Sequence, residues 1–308
     1  MAVFTLDAST VIEPIRQLAN SGQPGVLAII TEISGPSYRP LGAMMTVFAD
    51  GTHVGTLSSG CVESDIALHA IETLKEGQPK TLLYGTGSPY VDIQLPCGGG
   101  LEISLFPQPD QSVLQKICRL HAARKTTTLA VDRNTGAVLV AAAGVTGSNG
   151  STFNIRIEPE LCFYVFGKGP EATTFAGLVQ SAGYPNLLLS PDQDTLDIAK
   201  QAGGQTRHLT SAHFPDDLEP DAYSAILLFF HDHEWEPPIL CRAVGTDAFY
   251  IGVQGSQRAA DARKLELEAL GVSETDRAKI KGPIGLIPSV RDARKLAVSV
   301  LAEVLNES

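Results

Sequence analysis

The sequence LCFYVFGKGPEA at residues 161–172 decides the fold of the second half of the chain. An apolar, strand-like run leads into a glycine turn, and a helical pattern then continues to about residue 182. The turn reads Gly167-x-Gly169-x-x-Ala172, which is the dinucleotide-binding fingerprint in its alanine-ending form. Such glycines let the backbone approach a pyrophosphate, and the helix N-terminus offers N–H donors. The stretch therefore predicts a Rossmann-type unit.

The sequence around this fingerprint supports a parallel sheet. Strand-like runs at 186–189, 225–230 and 249–253 alternate with amphipathic helices, the last from about 290 to 305. Asp192 follows the fingerprint by a little over 20 residues, where an acid that binds a ribose is expected. We therefore predict a Rossmann-like nucleotide-binding domain with a C-terminal helix over residues 159–308. The alternative is a doubly wound domain whose turn is rich in glycine for packing alone.

Two further polar segments follow strands of this domain. His231-Asp232-His233 comes directly after the run at 225–230, and a second glycine loop contains Gly255 and Arg258. The carboxyl ends of parallel strands face the ligand crevice, so His231 is a candidate ligand contact and Arg258 a candidate phosphate contact. A metal site would need a further ligand near the histidines, and the sequence supplies none. Plain solvated loops are the alternative for both segments.

Residues 1–110 follow a different pattern, which predicts a compact α+β domain. A helix is expected at 9–20, a buried strand at 26–30, a hairpin around Asp50-Gly51, and strands at 81–84, 91–95 and 101–106. Residues 111–158 are interpreted as a helix and β connector, with a flexible turn at 147–151. The overall fold class is therefore α/β, an N-terminal α+β domain followed by the Rossmann-like domain.

Two cysteines in this first domain lie beside glycines. Cys61 is at the start of a predicted helix, where the helix dipole favours an ionised thiol, and Cys97 precedes Gly98-Gly99. Glycine allows a ligand to come close, so the two cysteines are candidates to share a pocket. The alternative is that both are small buried side chains, because free cysteine is often buried and no metal-ligand spacing is present. Separately, Arg39 in the loop at 34–42 is a candidate phosphate contact, and Ser37 adds a hydroxyl donor there; a solvated arginine is the alternative.

Composition limits the classes of protein to consider. The 308-residue chain has a formal net charge of -11, which argues against general binding to nucleic acid or anionic membranes. No apolar run approaches the roughly 18 to 20 residues that span a bilayer. The N-terminus lacks a secretion signal, and five cysteines without framework spacing suit a reducing cytoplasm. We therefore expect a cytoplasmic globular protein.

Taken together, the motifs resemble those of the XdhC/CoxI family of accessory factors for molybdenum hydroxylases. The resemblance covers most of the chain and is carried by GPSYRPLGAMM at 35–45, DG at 50–51, GCVE at 60–63, CGG at 97–99, FGKG at 166–169, HDH at 231–233, YIGVQGSQR at 250–258, PIGL at 283–286 and AVSVLAE at 297–303. Gln257, Ala259 and Ile287-Pro288 depart from the family pattern, and these departures affect the expected phosphate contacts and the choice of partner.

The resemblance implies a molybdenum cofactor insertion chaperone without turnover of its own. Such a protein binds the cofactor, as molybdopterin or its dinucleotide form, while a cysteine desulfurase supplies the terminal sulfur. It then delivers the cofactor to an apo-molybdenum hydroxylase of the xanthine dehydrogenase type. A homodimer is expected. The implied cofactor-binding residues are Cys61 and Cys97 at the molybdenum, with Ser37, Arg39, Glu63, Gly167, Gly169, Asp192, His231, Gly255 and Arg258.

Two other functions remain open at the level of sequence. An NAD(P)-dependent oxidoreductase is compatible with the fingerprint, but the chain shows no persuasive acid–base set, and a fold alone does not establish a reaction. A regulatory or scaffolding relative that has lost cofactor binding is compatible with the departure at Gln257.

Overall fold

The structure is a computed structural model in which the chain divides into two compact units, Met1–Pro159 and Glu160–Ser308. The residues it describes are 11–58, 60, 62–85, 98–142, 144–231 and 233–308, with His233 described by its backbone alone. Cys61, Cys97 and the strand expected at 91–95 therefore lie outside the described residues. No helix of the described residues is long and apolar enough to cross a membrane.

The N-terminal unit contains three helices and nine strands in its described residues. In chain order they are α1 (Ile12–Ser21), β1 (Gly25–Ser34), β2 (Met44–Phe48), β3 (His53–Gly55), α2 (Glu63–Glu76), β4 (Lys80–Gly85), β5 (Gly100–Pro107), α3 (Gln111–Ala122), β6 (Thr127–Asp132), β7 (Val138–Ala141), β8 (Gly147–Asn149) and β9 (Thr152–Ile157).

Strand β1 is the centre of the first sheet, an antiparallel sheet with the order β3-β2-β1-β5-β4. Its apolar run lacks the alternation of a half-exposed strand because both faces are covered. Val26, Ala28 and Ile30 pack on the side of α2. Leu27 and Ile29 pack on the side of α1 and α3. The register of β1 consequently fixes where the neighbouring strands begin and end.

The second sheet of this unit has the order β7-β6-β9-β8. Ile117 of α3 and Phe153 of β9 share one core with Ile15 of α1 and Ile29 of β1. The segment interpreted as a connector thus packs against the first sheet as a further layer of the same unit. The prediction of a flexible turn at 147–151 is wrong for its first three residues, because Gly147–Asn149 forms strand β8 and pairs with β9.

The C-terminal unit alternates strands with helices. In chain order its elements are β10 (Cys162–Gly167), α4 (Pro170–Ser181), β11 (Asn186–Ser190), α5 (Gln193–Gln201), β12 (Thr206–His208), β13 (Ser224–Phe229), a 3₁₀ turn (His233–Trp235), α6 (Glu236–Ala243), β14 (Tyr250–Val253), α7 (Gln257–Ala269), α8 (Glu274–Arg277), β15 (Ile280–Lys281) and α9 (Ala293–Glu307).

All pairs in this sheet are parallel, and its order is β12-β11-β10-β13-β14-β15. This is the strand order of the doubly wound dinucleotide-binding fold, with its switch point between β10 and β13. Helices α4 and α9 cover one face through a common core. Helices α6 and α7 cover the other. The predicted fold class is therefore confirmed for both units.

Gly167 in β10 and Gly177 in α4 have very different surroundings. A Cβ built on Gly167 would lie 2.5 Å from the carbonyl oxygen of Phe229, because β10 and β13 run side by side there. A Cβ on Gly177, in the middle of α4, would meet nothing within 4 Å. The first glycine of the fingerprint is thus required by strand packing, whatever else it does.

This contrast gives a prediction for stability. Gly167→Ala should lower the free energy of unfolding by roughly 1 to 3 kcal/mol, because a backbone oxygen must move to admit the methyl group. Gly177→Ala should raise it by about 0.5 to 1 kcal/mol, since alanine is the better helix former and the site is open. Urea unfolding followed by circular dichroism measures both. Equal effects of the two substitutions would contradict the described packing.

Candidate functional site

Three loops of the N-terminal unit attach to the same end of its first sheet. Strand β1 ends at Ser34 opposite Gly100, the first residue of β5, and Gly85, the last residue of β4, also pairs with Gly100. Gly55 of β3 pairs with Met45 near the start of β2. Because these strands alternate in direction, the loops 35–43, 56–62 and 86–99 all leave from this end. Three of the four family motifs of this unit, at 35–45, 60–63 and 97–99, therefore belong to loops attached to one end of the sheet, while DG at 50–51 lies in the turn between β2 and β3 at the other end.

Close backbone contact joins two of these loops. A Cβ built on Gly99 would lie 2.1 Å from the carbonyl oxygen of Pro36 and 2.9 Å from that of Ser34. Such distances leave room for glycine alone. The CGG motif is therefore packed against the GPSYR motif at Gly99, although Cys97 itself lies outside the described residues.

The loop after β1 holds an arginine whose donor group is incompletely used. The Ser37 hydroxyl donates to the carbonyl oxygen of Arg39 at 2.8 Å and accepts from the Arg39 N–H at 3.2 Å. Nε of Arg39 is buried and has no hydrogen-bond partner among the described residues. A buried donor without a partner is costly, so this group is suited to an anionic acceptor such as a phosphate.

Glu63 is a buried carboxylate that fixes the loop before α2. Its Oε1 accepts hydrogen bonds from the Thr56 hydroxyl at 2.5 Å, the Leu57 N–H at 3.0 Å and the Ser58 N–H at 2.8 Å. Its Oε2 accepts from the Ser58 hydroxyl at 2.9 Å. Glu63 is 5% exposed. Glu63 thus binds the preceding loop to the first turn of α2.

These hydrogen bonds set the charge of Glu63. Burial by itself raises the pKa of the carboxyl, but the donors on Thr56 and Ser58 outweigh burial and lower the pKa to about 2. Glu63 is consequently a fixed negative charge at neutral pH.

Helix α2 begins slightly later than the sequence suggested. Its first residue is Glu63 and its N-cap is Val62, so the helix starts two residues after Cys61. The Val62 N–H donates to the Ser58 hydroxyl at 3.1 Å and to Oε2 of Glu63 at 3.2 Å. On the far side, the buried Tyr84 at the end of β4 donates to Asp65 at 2.6 Å. The start of α2 is therefore bonded both to Ser58 in the preceding loop and to Tyr84 of β4.

In the C-terminal unit, the candidate residues lie in the loops that follow the parallel strands. Gly167 ends β10, Asp192 follows β11, His231 follows β13, and Gly255 follows β14. Parallel strands have their carboxyl ends at one edge of the sheet, so these four positions share that edge. This edge is called the carboxyl edge below.

Most N–H groups of the first glycine loop are used within the protein. Gly169 donates to the Thr195 hydroxyl at 2.9 Å, and Lys168 donates to the Phe229 carbonyl at 3.3 Å. Pro170, the first residue of α4, has no N–H. Asp192 caps α5 by accepting from the Thr195 N–H and hydroxyl at 2.8 and 2.5 Å, which lowers its pKa. The loop therefore presents few donors to a pyrophosphate.

A carboxylate also occupies the start of α4. Oε2 of Glu171 lies 3.2 Å from Nε2 of His231, so the pair joins the ends of β10 and β13. His231 is 61% exposed and Glu171 is 17% exposed. A phosphate at this helix N-terminus would face the charge of Glu171, which disfavours its binding.

The second glycine loop offers a different surface. Gly255 adopts a φ of 146°, and the Ser256 hydroxyl caps α7 by accepting from the Ala259 N–H at 3.2 Å. The first turn of α7 contains no acid, and Arg258 in it is exposed. This loop suits a phosphate better than the fingerprint loop does.

Sequence reasoning missed the ion pair that supports this second loop. Nε of Arg263 donates to Oε2 of Glu236 at 2.7 Å, and the side chains are 6% and 1% exposed. Nη2 of Arg263 also donates to the Gln254 carbonyl at 3.3 Å. The partners are on α6 and α7, 27 residues apart, and no local sequence pattern indicates such a pair. Loss of either partner would leave a buried charge.

The described residues contain no group of three or more histidine, cysteine, aspartate and glutamate side chains that would hold a metal ion. The predicted molybdenum contacts, Cys61 and Cys97, lie outside the described residues. Their role stays a prediction.

The fold and loops define a two-unit protein in which a loop-bearing antiparallel unit precedes a Rossmann-type unit. Residues 18–85 match the model of the XdhC and CoxI family, and residues 163–304 match that of the XdhC Rossmann domain. The chain belongs to the XdhC and CoxI family. The resemblance found in the sequence motifs is confirmed.

Relatives of known name extend over nearly the whole chain. The molybdenum cofactor insertion chaperone PaoD of Escherichia coli is 33% identical over 304 residues, covering 98% of this chain and 89% of PaoD. A Bacillus subtilis protein named as a probable xanthine dehydrogenase subunit is 23% identical, covering 94% of each chain. A crystal structure of a xanthine dehydrogenase from Bacillus halodurans has the same fold, with a TM-score of 0.76 at 22% identity, covering 96% of this chain and 94% of that one.

The state of Glu63 predicts a pH-dependent stability. Because its pKa is lowered in the folded protein, its contribution is complete above the unfolded value of about 4.3 and is lost as the pH falls towards about 2. Glu63→Gln should lower the free energy of unfolding at pH 7 by about 2 kcal/mol and remove that part of the acid dependence. Denaturant unfolding between pH 3 and pH 7 measures this effect.

Glu76→Gln is the matched control, because Glu76 is an exposed carboxylate on the same helix. It should leave both the stability and its pH dependence close to the values of the unsubstituted protein. A Glu63→Gln protein as stable as this control would show that the carboxylate does not hold the loop.

Proposed function

We propose that this protein is a molybdenum cofactor insertion chaperone that serves a xanthine dehydrogenase-type molybdenum hydroxylase. The names of its relatives support this function. The observation that carries the proposal is the attachment of three motif-bearing loops to one end of the first sheet, one of which holds the buried Nε of Arg39 without a hydrogen-bond partner among the described residues. The cofactor is the cargo of the protein, and the protein performs no turnover.

In this proposal the N-terminal unit holds the molybdopterin part of the cofactor. Arg39 and Ser37 contact an anionic group, and the buried Nε fits a phosphate acceptor. Cys61 and Cys97 are soft thiolate groups suited to the molybdenum end. Glu63 contributes by holding the 56–58 loop in place, because its carboxylate oxygens already accept hydrogen bonds from that loop.

The finer parts of the function are also proposals. The protein holds the cofactor while a cysteine desulfurase supplies the terminal sulfur, and it works as a homodimer in the cytoplasm. The carboxyl edge of the second unit contacts a phosphate-bearing ligand, either the dinucleotide form of the cofactor or a separate nucleotide. Gly255 and Arg258 make the main contacts, and His231 with Gly169 borders them. Asp192 and Gly167 support this edge as a helix cap and a close-packed turn.

Binding of NAD(P) has less support than the chaperone role. The N–H groups of Lys168 and Gly169 in the fingerprint loop already donate within the protein, and Glu171 places a carboxylate in the first turn of α4. Calorimetric titration with NADH and NADPH is therefore expected to show no binding at micromolar concentrations. Micromolar binding that Gly169→Ala weakens at least about tenfold would favour the oxidoreductase instead, because a methyl group at this turn blocks close approach of a pyrophosphate.

The main test measures the cofactor directly. The protein is purified from a host that makes the molybdenum cofactor, and bound pterin is quantified by mass spectrometry. The unsubstituted protein should carry pterin, and the Cys61→Ala, Cys97→Ala double variant should lose it while its circular dichroism stays unchanged. Arg39→Ala should weaken retention by about tenfold or more, because a charge-assisted hydrogen bond is lost.

Lys75→Ala serves as the control, since Lys75 is an exposed cation of the same unit on α2. Its pterin content should match that of the unsubstituted protein. If the double cysteine variant retains the cofactor and activates an apo-hydroxylase normally, the proposed function fails.

A further inference from the structure

The C-terminal unit exposes a cluster of large apolar side chains around the start of α9. Leu286 is 59% exposed, Ile287 is 51% exposed, and Val298 on the second turn of α9 is 58% exposed. Scattered apolar residues on a surface are ordinary, but neighbouring ones mark contact sites. These three, with Arg291, Arg294 and Lys295, are called the α9 patch below.

The exposure of this patch is built into the fold. The Ile287 N–H donates to the hydroxyl of Ser299 at 2.7 Å, and the Leu286 N–H donates to its carbonyl oxygen at 3.4 Å. Ser299 is 2% exposed on α9, and the neighbouring Gly285 N–H donates to Glu303 on the same helix. The backbone of the loop is thus fixed to α9 while the side chains of Leu286 and Ile287 face solvent.

The rim of the patch is basic on a chain with a net charge of -11. Arg291, Arg294 and Lys295 are all exposed, and the Arg294 side chain is 84% exposed. Asp292 is the acid among them, and it caps α9 and pairs with Arg294 at 3.1 Å. Two positive charges of this group therefore remain uncompensated within residues 291–295, which favours an acidic partner.

The patch lies beside the proposed ligand edge. β15 ends at Lys281, and a Cβ built on Gly282 would lie 3.0 Å from the carbonyl oxygen of Val253, the last residue of β14. The loop that carries Leu286 and Ile287 therefore leaves from the carboxyl edge that also holds Gly255. Helix α9 packs along α4, which begins at the same edge.

We propose that the α9 patch docks the client apo-hydroxylase through an apolar hollow rimmed by carboxylates. The identity of the client rests on the proposed function. A second copy of this chain is a poorer occupant, because an isologous contact would place the three cations of one patch against the same cations of the other. A docking surface at the carboxyl edge brings the client next to the Gly255 loop, which is proposed to bind the phosphate-bearing ligand.

The test measures binding to the purified apo form of a xanthine dehydrogenase-type hydroxylase, made in a host without molybdenum cofactor. Leu286→Asp with Ile287→Asp, and separately Arg291→Glu with Arg294→Glu and Lys295→Glu, should weaken binding by at least about tenfold. The charge-reversed protein should also lose most of the salt dependence of the association rate. Pterin content of each variant should stay at the level of the unsubstituted protein.

The control is Leu265→Asp with Leu270→Asp, which places the same substitutions on apolar residues at α7 that are 69% and 58% exposed. Unchanged binding of both patch variants, or equal loss in the control, overturns the docking proposal. So does a change of oligomeric state confined to the patch variants, because it identifies a second copy as the occupant. If the unsubstituted protein from a cofactor-making host carried no pterin and still bound the client through the patch, the proposed function would fail and the docking surface would be supported.

Discussion

The hydrogen bonds to the buried carboxylate of Glu63 are the interactions on which the candidate site of the N-terminal unit depends. A charge that is 5% exposed is tolerated because N–H and O–H donors from the 56–58 loop surround both oxygens. The same hydrogen bonds hold that loop to the first turn of α2, and the bond from Tyr84 to Asp65 holds α2 to β4. Residues 56–58 are thus held to the start of α2 by satisfied hydrogen bonds, at a defined place beside the sheet.

Strand β1 determines where this loop lies relative to the other loops of the unit. Because β1 is covered on both faces and paired on both edges, the ends of β2, β4 and β5 are fixed relative to it. Three loops are therefore attached to one end of the sheet, and the close contact of Gly99 with Pro36 leaves no room for a side chain at Gly99. A rigid sheet bearing loops at one end is a common way to position groups that bind a ligand.

The loops of the C-terminal unit differ in the groups that they offer to a ligand. Its strand order is that of dinucleotide-binding proteins, yet the donors of its fingerprint loop are engaged by Thr195 and Phe229. Glu171 adds negative charge where such proteins bind a pyrophosphate. The Gly255 loop, braced by the buried pair of Glu236 and Arg263, and the exposed α9 patch lie at the same edge. The strand order by itself therefore does not establish what this unit binds.

The sequence alone determined the fold class, the family and most elements, since apolar periodicity and glycine turns are local signals. It also singled out Arg39 and Glu63 as candidate site residues. Only the tertiary structure showed their surroundings, because the burial of Nε of Arg39 and the hydrogen bonds to the oxygens of Glu63 depend on neighbours brought in by folding. The fingerprint at Gly167 predicts a phosphate-binding loop, and the tertiary structure adds that the Gly169 N–H donates to the hydroxyl of Thr195, 26 residues later. Contacts between residues distant in sequence have no local pattern, and they decide what a motif does.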